Sequence, residues 1–196
     1  MKNKRKQTVA FLLALVILIA GIPAGRAQAA KAQALKTAAQ SDLEDTVETI
    51  VNKETKRKDS AKEKLKKLFL YMEEDYDYGR AVSFETYSGW EEEYAAEMFE
   101  DEKGSCYHFA AAYAYLAKKA TDYPVRIGVG KTNGFSGKWQ KHAWVEIKIK
   151  SKWYVCDPNM DKYAEESSLT YFLKKRSSLK ETYNNYKKVE YVTVSF

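Results

Sequence analysis

The chain has 196 residues, 45% hydrophobic and 14% aromatic, with 33 Lys+Arg against 27 Asp+Glu for a formal net charge of +6. Five of the bases, Lys2, Lys4, Arg5, Lys6 and Arg26, lie in residues 1–29 alongside no acid, so the remainder carries only +1 and gives no ground for a nucleic-acid partner. With 2 Cys and 3 Pro, a disulfide framework and a Pro-rich linker are excluded, and the length beyond residue 29 suits one domain with a sizeable core.

Residues 1–29 have the pattern of an export signal. A basic start precedes the apolar run Val9 to Ala20, and Ala27-Gln28-Ala29 is a small-x-small cleavage site. The run falls short of the roughly 20 residues that a spanning helix needs, so membrane attachment is expected only if the segment stays uncleaved. It holds no cysteine for lipid modification. The expected location is secreted, extracellular or at the cell surface.

Residues 30–40, rich in Ala, Lys and Gln, are expected as a flexible lead-in, with residues 41–196 as a single domain. Ser41 is a candidate N-cap for a helix with Leu43, Val47, Ile50 and Val51 on one stripe. In "KETKRKDSAKEKLKKL", Asp59 or Ser60 is the next cap, and Leu65, Leu68, Phe69 and Met72 form the next apolar face. Its lysines fit a solvated helix face, with a membrane-surface or cell-wall role as the alternative. "YDYGRAVSFETYSG" is expected as a loop, and Glu91 to Glu102 as an acidic helix with Tyr94, Ala95, Met98 and Phe99 inward.

A helix opens at Cys106 and runs to about Ala120. Beyond it the period switches to two: Val125, Ile127 and Val129; then Trp139 to Ile149; then Lys152 to Cys156; and last a short strand at Tyr191 to Phe196. Helices followed by an antiparallel sheet make an α+β fold.

Cys106 stands in "KGSCYHFAAAYAYL", with Gly104-Ser105 as the cap. The first turn of a helix presents unpaired N–H groups and the positive end of the dipole, which favour a thiolate. Glu100, Asp101 and Glu102 upstream oppose a further negative charge, so an inert buried cysteine fits this segment equally well. A nucleophilic thiol needs an imidazole as its base, and the chain has only 2 His. His108 lies about 200° round the helix from Cys106 and is expected as a surface or packing residue. His142, in "KHAWVEIKIK", shares a strand face with Trp144 and Glu146.

If the hairpin in "HAWVEIKIKSKWYVCDPN" turns at Lys150-Ser151 with Ile149 opposite Lys152, Asp157 falls on the face of His142, one diagonal step away. It can then orient the ring. A slip of one residue would separate the two, and Lys-Ser is not a favoured hairpin pair. Cys156 alternates to the opposite face, which disfavours a disulfide with Cys106. Zinc bound by Cys106, His108, His142 and Cys156 is disfavoured because Cys106 and His108 diverge on the helix. Tyr107, Trp144 and Trp153 could line a substrate groove or fill the core.

The blocks "GSCYHFAAAYAYLAKKA", "YPVRIGVG", "HAWVEI" and "KWYVCDPN" resemble, in order, those of the bacterial transglutaminase-like superfamily, over roughly Trp90 to Asn159. The resemblance implies a papain-like fold, with the cysteine helix packed on an antiparallel sheet. It also implies a triad of Cys106 as nucleophile, His142 as base and acid, and Asp157 as orienter, working without cofactor or metal on a protein or peptide substrate, which could be wall-associated. The Gly-containing turn usual before the aspartate strand is replaced here by Lys-Ser. The Cys106 N–H is one expected oxyanion donor, and the second is unassigned. The implied activity is attack on an amide carbonyl through a thioester, as protease, amidase or transglutaminase. The alternative is a non-catalytic cell-surface binding module that keeps the fold.

Overall fold

The computed structural model describes residues 24–79, 85–163 and 169–196. The expected apolar signal run, Val9 to Ala20, lies outside them, whereas the expected cleavage site, Ala27-Gln28-Ala29, lies within them and is helical. Met1–Thr37 and Ala38–Phe196 form separate compact units. In the first, the described residues are helical and Leu35 is exposed.

Helix α1 spans Ala24–Glu54, which corrects two expectations. Residues 30–40 are helical, and Ser41 caps nothing because the helix runs through it. Alanine, glutamine and lysine are good helix formers, and no glycine or proline interrupts residues 26–54. Within Ala38–Phe196 its apolar stripe, Leu43, Val47, Ile50 and Val51, is buried as expected.

Helix α2 (Ala61–Asp75) starts at Ser60, whose hydroxyl accepts the Glu63 N–H while the Glu63 carboxylate accepts the Ser60 N–H. This reciprocal box satisfies two backbone donors that a helix start leaves open. Leu65, Leu68, Phe69 and Met72 are fully buried, each contributing on the order of 2 kcal/mol. The lysines take the outer side, where Lys67 pairs with Asp59 at 2.6 Å.

A two-residue strand β1 (Asp77–Tyr78) interrupts the expected loop and pairs in parallel with β2 (Lys103–Gly104). Between them lies α3 (Trp90–Asp101), with Trp90, Ala95 and Met98 buried. Helix α4 (Cys106–Ala120) is buried at every position except Lys118 and Lys119. A helix apolar on all sides belongs at the centre of a fold. Its alanines at 110, 111, 112 and 114 let α2, α3 and the sheet approach closely.

The sheet has the order β6-β5-β4-β3-β7, all antiparallel. Its strands are β3 (Val125–Thr132), β4 (Gln140–Ile149), β5 (Lys152–Cys156), β6 (Lys174–Lys175) and β7 (Glu190–Thr193). Ile149 pairs with Lys152 and Val145 with Cys156, so the expected hairpin register holds. Lys150 meets the demand of the tight turn at φ 57, in the left-handed region. Along β4, Ala143, Val145 and Ile147 join the main core with α4. Trp144 belongs to a second cluster with Val155, Leu179 and Tyr183. The short helix α5 (Pro158–Tyr163) follows β5 directly. Asn184, Asn185, Tyr186 and Lys188 all have φ between 50 and 55, a conformation costing roughly 1–2 kcal/mol per residue outside glycine, with asparagine the mildest case.

Candidate active site

Cys106 is the first residue of α4, with Ser105 as N-cap at φ −78, ψ 177. The Ser105 hydroxyl accepts the Tyr107 N–H at 3.3 Å and lies 2.9 Å from His108 Nδ1, which accepts the Ser105 N–H at 3.2 Å. His108 Nε2 reaches Glu97 Oε2 at 2.9 Å, and the ring stacks on Tyr94 at 4.5 Å. His108 is therefore buried and structural. It fills the place that Glu or Gln takes in a capping box, and it is not a surface residue. Gly104 is required here, because a Cβ would come within 2.5 Å of His108 Cβ and 2.8 Å of Met98 Sδ.

His142 sits on β4 opposite Gly130 of β3. Its Nε2 meets Asp157 Oδ2 at 2.6 Å, with both side chains 1% exposed. The other ring nitrogen, Nδ1, is buried and makes no regular hydrogen bond. Burial opposes the charged ring, but the charges of Asp157 and Cys106, and the hydrogen bond to Asp157, outweigh it and push the pKa up to about 10. The imidazole is thus held charged through neutral pH, in electrostatic contact with the thiol.

Asp157 is fixed from three sides. Oδ1 accepts the Met160 N–H at 2.9 Å, and Oδ2 accepts the Tyr183 hydroxyl at 2.7 Å as well as the imidazole. It caps α5, with Pro158 at the first helical position, where no N–H is needed. Burial, and then the neighbouring carboxylate, push the Tyr183 phenol well above its ordinary pKa, so it remains a donor. Tyr183, one of 15 tyrosines, carries no sequence signal for this task. The "DP" start of α5 did carry one.

Cys106 and His142 line a cavity of about 620 Å³ with Phe135, Gln140 and Asn159. Phe135 meets the His142 ring edge-on at 5.4 Å. The carboxamide of Asn159 is buried with neither polar atom hydrogen-bonded. The two cysteines are free. Cys156 faces the main core, accepts the Leu173 N–H at 3.4 Å and contacts Tyr113; burial, the largest influence, pushes its thiol up to about 12. Tyr107 and Trp144 are core residues, and Trp153 is half-buried with Arg126 3.9 Å from its ring.

The structure therefore brings a thiol at a helix N-terminus, an imidazole and a carboxylate together from α4, β4 and the end of β5. The sequence also matches the family model described as the transglutaminase-like superfamily over residues 45–158, more than half of the chain. The chain belongs to the transglutaminase-like superfamily. Two solved structures are similar to this superfamily member. One is titled "Putative Cysteine Protease from Cytophaga hutchinsonii", at 15% identity over 78% of this chain and 52% of that one, with a TM-score of 0.48. The other is a TGase, at 17% identity over 70% of this chain and 36% of that one, also at 0.48. The chain thus spans about half the length of the first and about a third of the second. No curated protein matches the sequence.

Proposed function

We propose that this superfamily member is an exported cysteine enzyme that opens amide bonds through a thioester on Cys106. The observation that carries this is the buried His142–Asp157 pair at 2.6 Å, whose ring lines the same cavity as the Cys106 thiol. In the first step the Cys106 sulfur, as thiolate, attacks the carbonyl carbon of the substrate amide. The resulting oxyanion is met by the Cys106 N–H at the helix start. The imidazolium of His142 gives its proton to the departing nitrogen, the C–N bond breaks, and a thioester remains. A water or a primary amine then attacks, His142 takes its proton, and the sulfur leaves as thiolate. Throughout, Asp157 keeps the ring oriented, and Met160 N–H and Tyr183 keep Asp157 oriented.

Water as second nucleophile makes the enzyme an amidase or peptidase, and an amine makes it a transamidase. The expected substrate is a protein or peptide, outside the cell or at its surface. Export rests on the basic, apolar and small-residue pattern of residues 1–29.

Alkylation tests the thiol. Iodoacetamide at neutral pH should modify Cys106 faster than a free cysteine, as expected of a thiolate held by a charged ring, and should leave Cys156 untouched. His142→Ala should slow the reaction about tenfold or more, in line with the loss of that partner. Labelling at the free-thiol rate in both proteins would identify a binding module without catalysis. The mass shift of a Gln-containing peptide, incubated with and without a primary amine, separates hydrolysis from transamidation.

A further inference from the structure

A second cleft, of about 430 Å³, adjoins the proposed catalytic cavity and shares Lys141 with it. Its wall includes Tyr107, next to Cys106, and Gly130, opposite His142. Four lysines line it, at 131, 141, 187 and 188, against one acid, Glu190. All four are exposed, and among the described residues none forms an ion pair. Beyond residue 29 the chain carries a formal charge of only +1, so this concentration is local.

Two features make the arrangement more than a scatter of surface charge. Lys131 and Lys141 are direct cross-strand partners, and like charges directly opposite each other destabilise a sheet. Lys187 and Lys188 follow Asn184, Asn185 and Tyr186 in left-handed backbone, and Lys188 is itself left-handed. Backbone held in a sparsely populated region points to a functional demand. An anion in the cleft relieves the repulsion and is drawn in by the field.

We infer that the Lys131–Lys141–Lys187–Lys188 cleft is the subsite for an acidic peptide segment flanking the amide that Cys106 attacks. This rests on the proposed cysteine chemistry for its orientation, but the cleft's charge stands independently of it. The same field disfavours a cationic amine entering by this side, so lysine acceptors must approach through the other cavity or not at all.

The test uses the Cys106→Ala variant of the full chain and three fluorescent Gln-containing peptides of equal length, flanked by acidic, neutral or basic residues. Anisotropy at low salt should show the acidic peptide binding at least about tenfold tighter than the neutral one. The gap should narrow steeply above about 0.3 M salt, where screening shortens to a few ångströms. Lys187→Glu with Lys188→Glu, checked for an unchanged circular dichroism spectrum, should abolish or invert the preference. Equal affinity for the three peptides, or a preference untouched by the double reversal, overturns the subsite. Displacement of the acidic peptide by inorganic polyphosphate at far lower concentration overturns the peptide as its occupant. Charge-selective binding combined with no turnover by the unsubstituted protein upholds the cleft and refutes the cysteine chemistry instead.

Discussion

Asp157 takes a neutral-pH positive charge on one oxygen edge and two neutral donors around it, and its substitution tests the site most cleanly. Asp157→Asn keeps the volume and the capping of α5 but offers the ring an amide in place of a carboxylate. Turnover should fall by about a thousandfold or more while the thermal midpoint moves little, as expected for an orienting residue. Steady-state rates measured beside a melting curve check this, and a protein that unfolds would place Asp157 in the structure and not in the mechanism. Tyr183→Phe removes only the hydroxyl at 2.7 Å from Asp157. The expected loss is about 1 kcal/mol of stability, typical of one hydrogen bond, read from denaturant midpoints. The residue immediately before a capping serine can matter as much. Gly104→Ala drives a methyl into His108 and Met98, so it should displace the start of α4 and slow Cys106 alkylation, while Ser105→Ala should cost about 1 kcal/mol by loss of the cap.

Among the elements, α2 and α5 meet through two carboxyl groups. Glu73 faces Asp161, and Asp161 accepts the N–H groups of Leu169 and Tyr171 at 2.5 and 2.6 Å. Burial first, then Asp161 and Glu74, push Glu73 up to about 8, with Lys162 only partly opposing them. A raised carboxyl pKa means the folded state holds a proton that the unfolded chain has released. The stabilisation is therefore full below about pH 4.5 and lost as pH rises to about 8. His142, raised to about 10, extends the same downward slope from about pH 6.5. The melting temperature should thus decline between pH 5 and 8, and Glu73→Gln should flatten the curve between about pH 5 and 6.5 while the His142 slope above it remains. A flat wild-type profile would remove this account. Much of this architecture was visible in residue periodicity: the 3.6 spacing of α2, and the alternation of β3, β4 and β5; the register that joins His142 to Asp157 rested instead on the assumed turn at Lys150-Ser151. The two-residue strands β1, β2 and β6 are too short for any period, and α5 is a six-residue helix whose only sign was Asp157-Pro158. The unbroken α1 was hidden because Ser41 looks like a cap wherever helix formers lie on both sides of it.

At the scale of the whole molecule, the proposed export of the chain has its own measurement. Intact mass or terminal sequencing of protein recovered from the medium should show a start at Ala30, and recovery of the full 196 residues in a membrane fraction would mean the apolar run is retained as an anchor. The central position of α4 explains why so little of the site lay in any one segment: the helix supplies the thiol, two strands supply the other groups, and Tyr183 arrives from a stretch with no regular pattern. Cys156, sealed beside Tyr113 with its thiol pushed up to about 12, leaves Cys106 as the one thiol that lines a cavity. An oxidising surrounding therefore has no internal bridge to build. A small disulfide reagent should instead cap the protein with a single adduct, halting it at one equivalent, and a reductant should restore it in full.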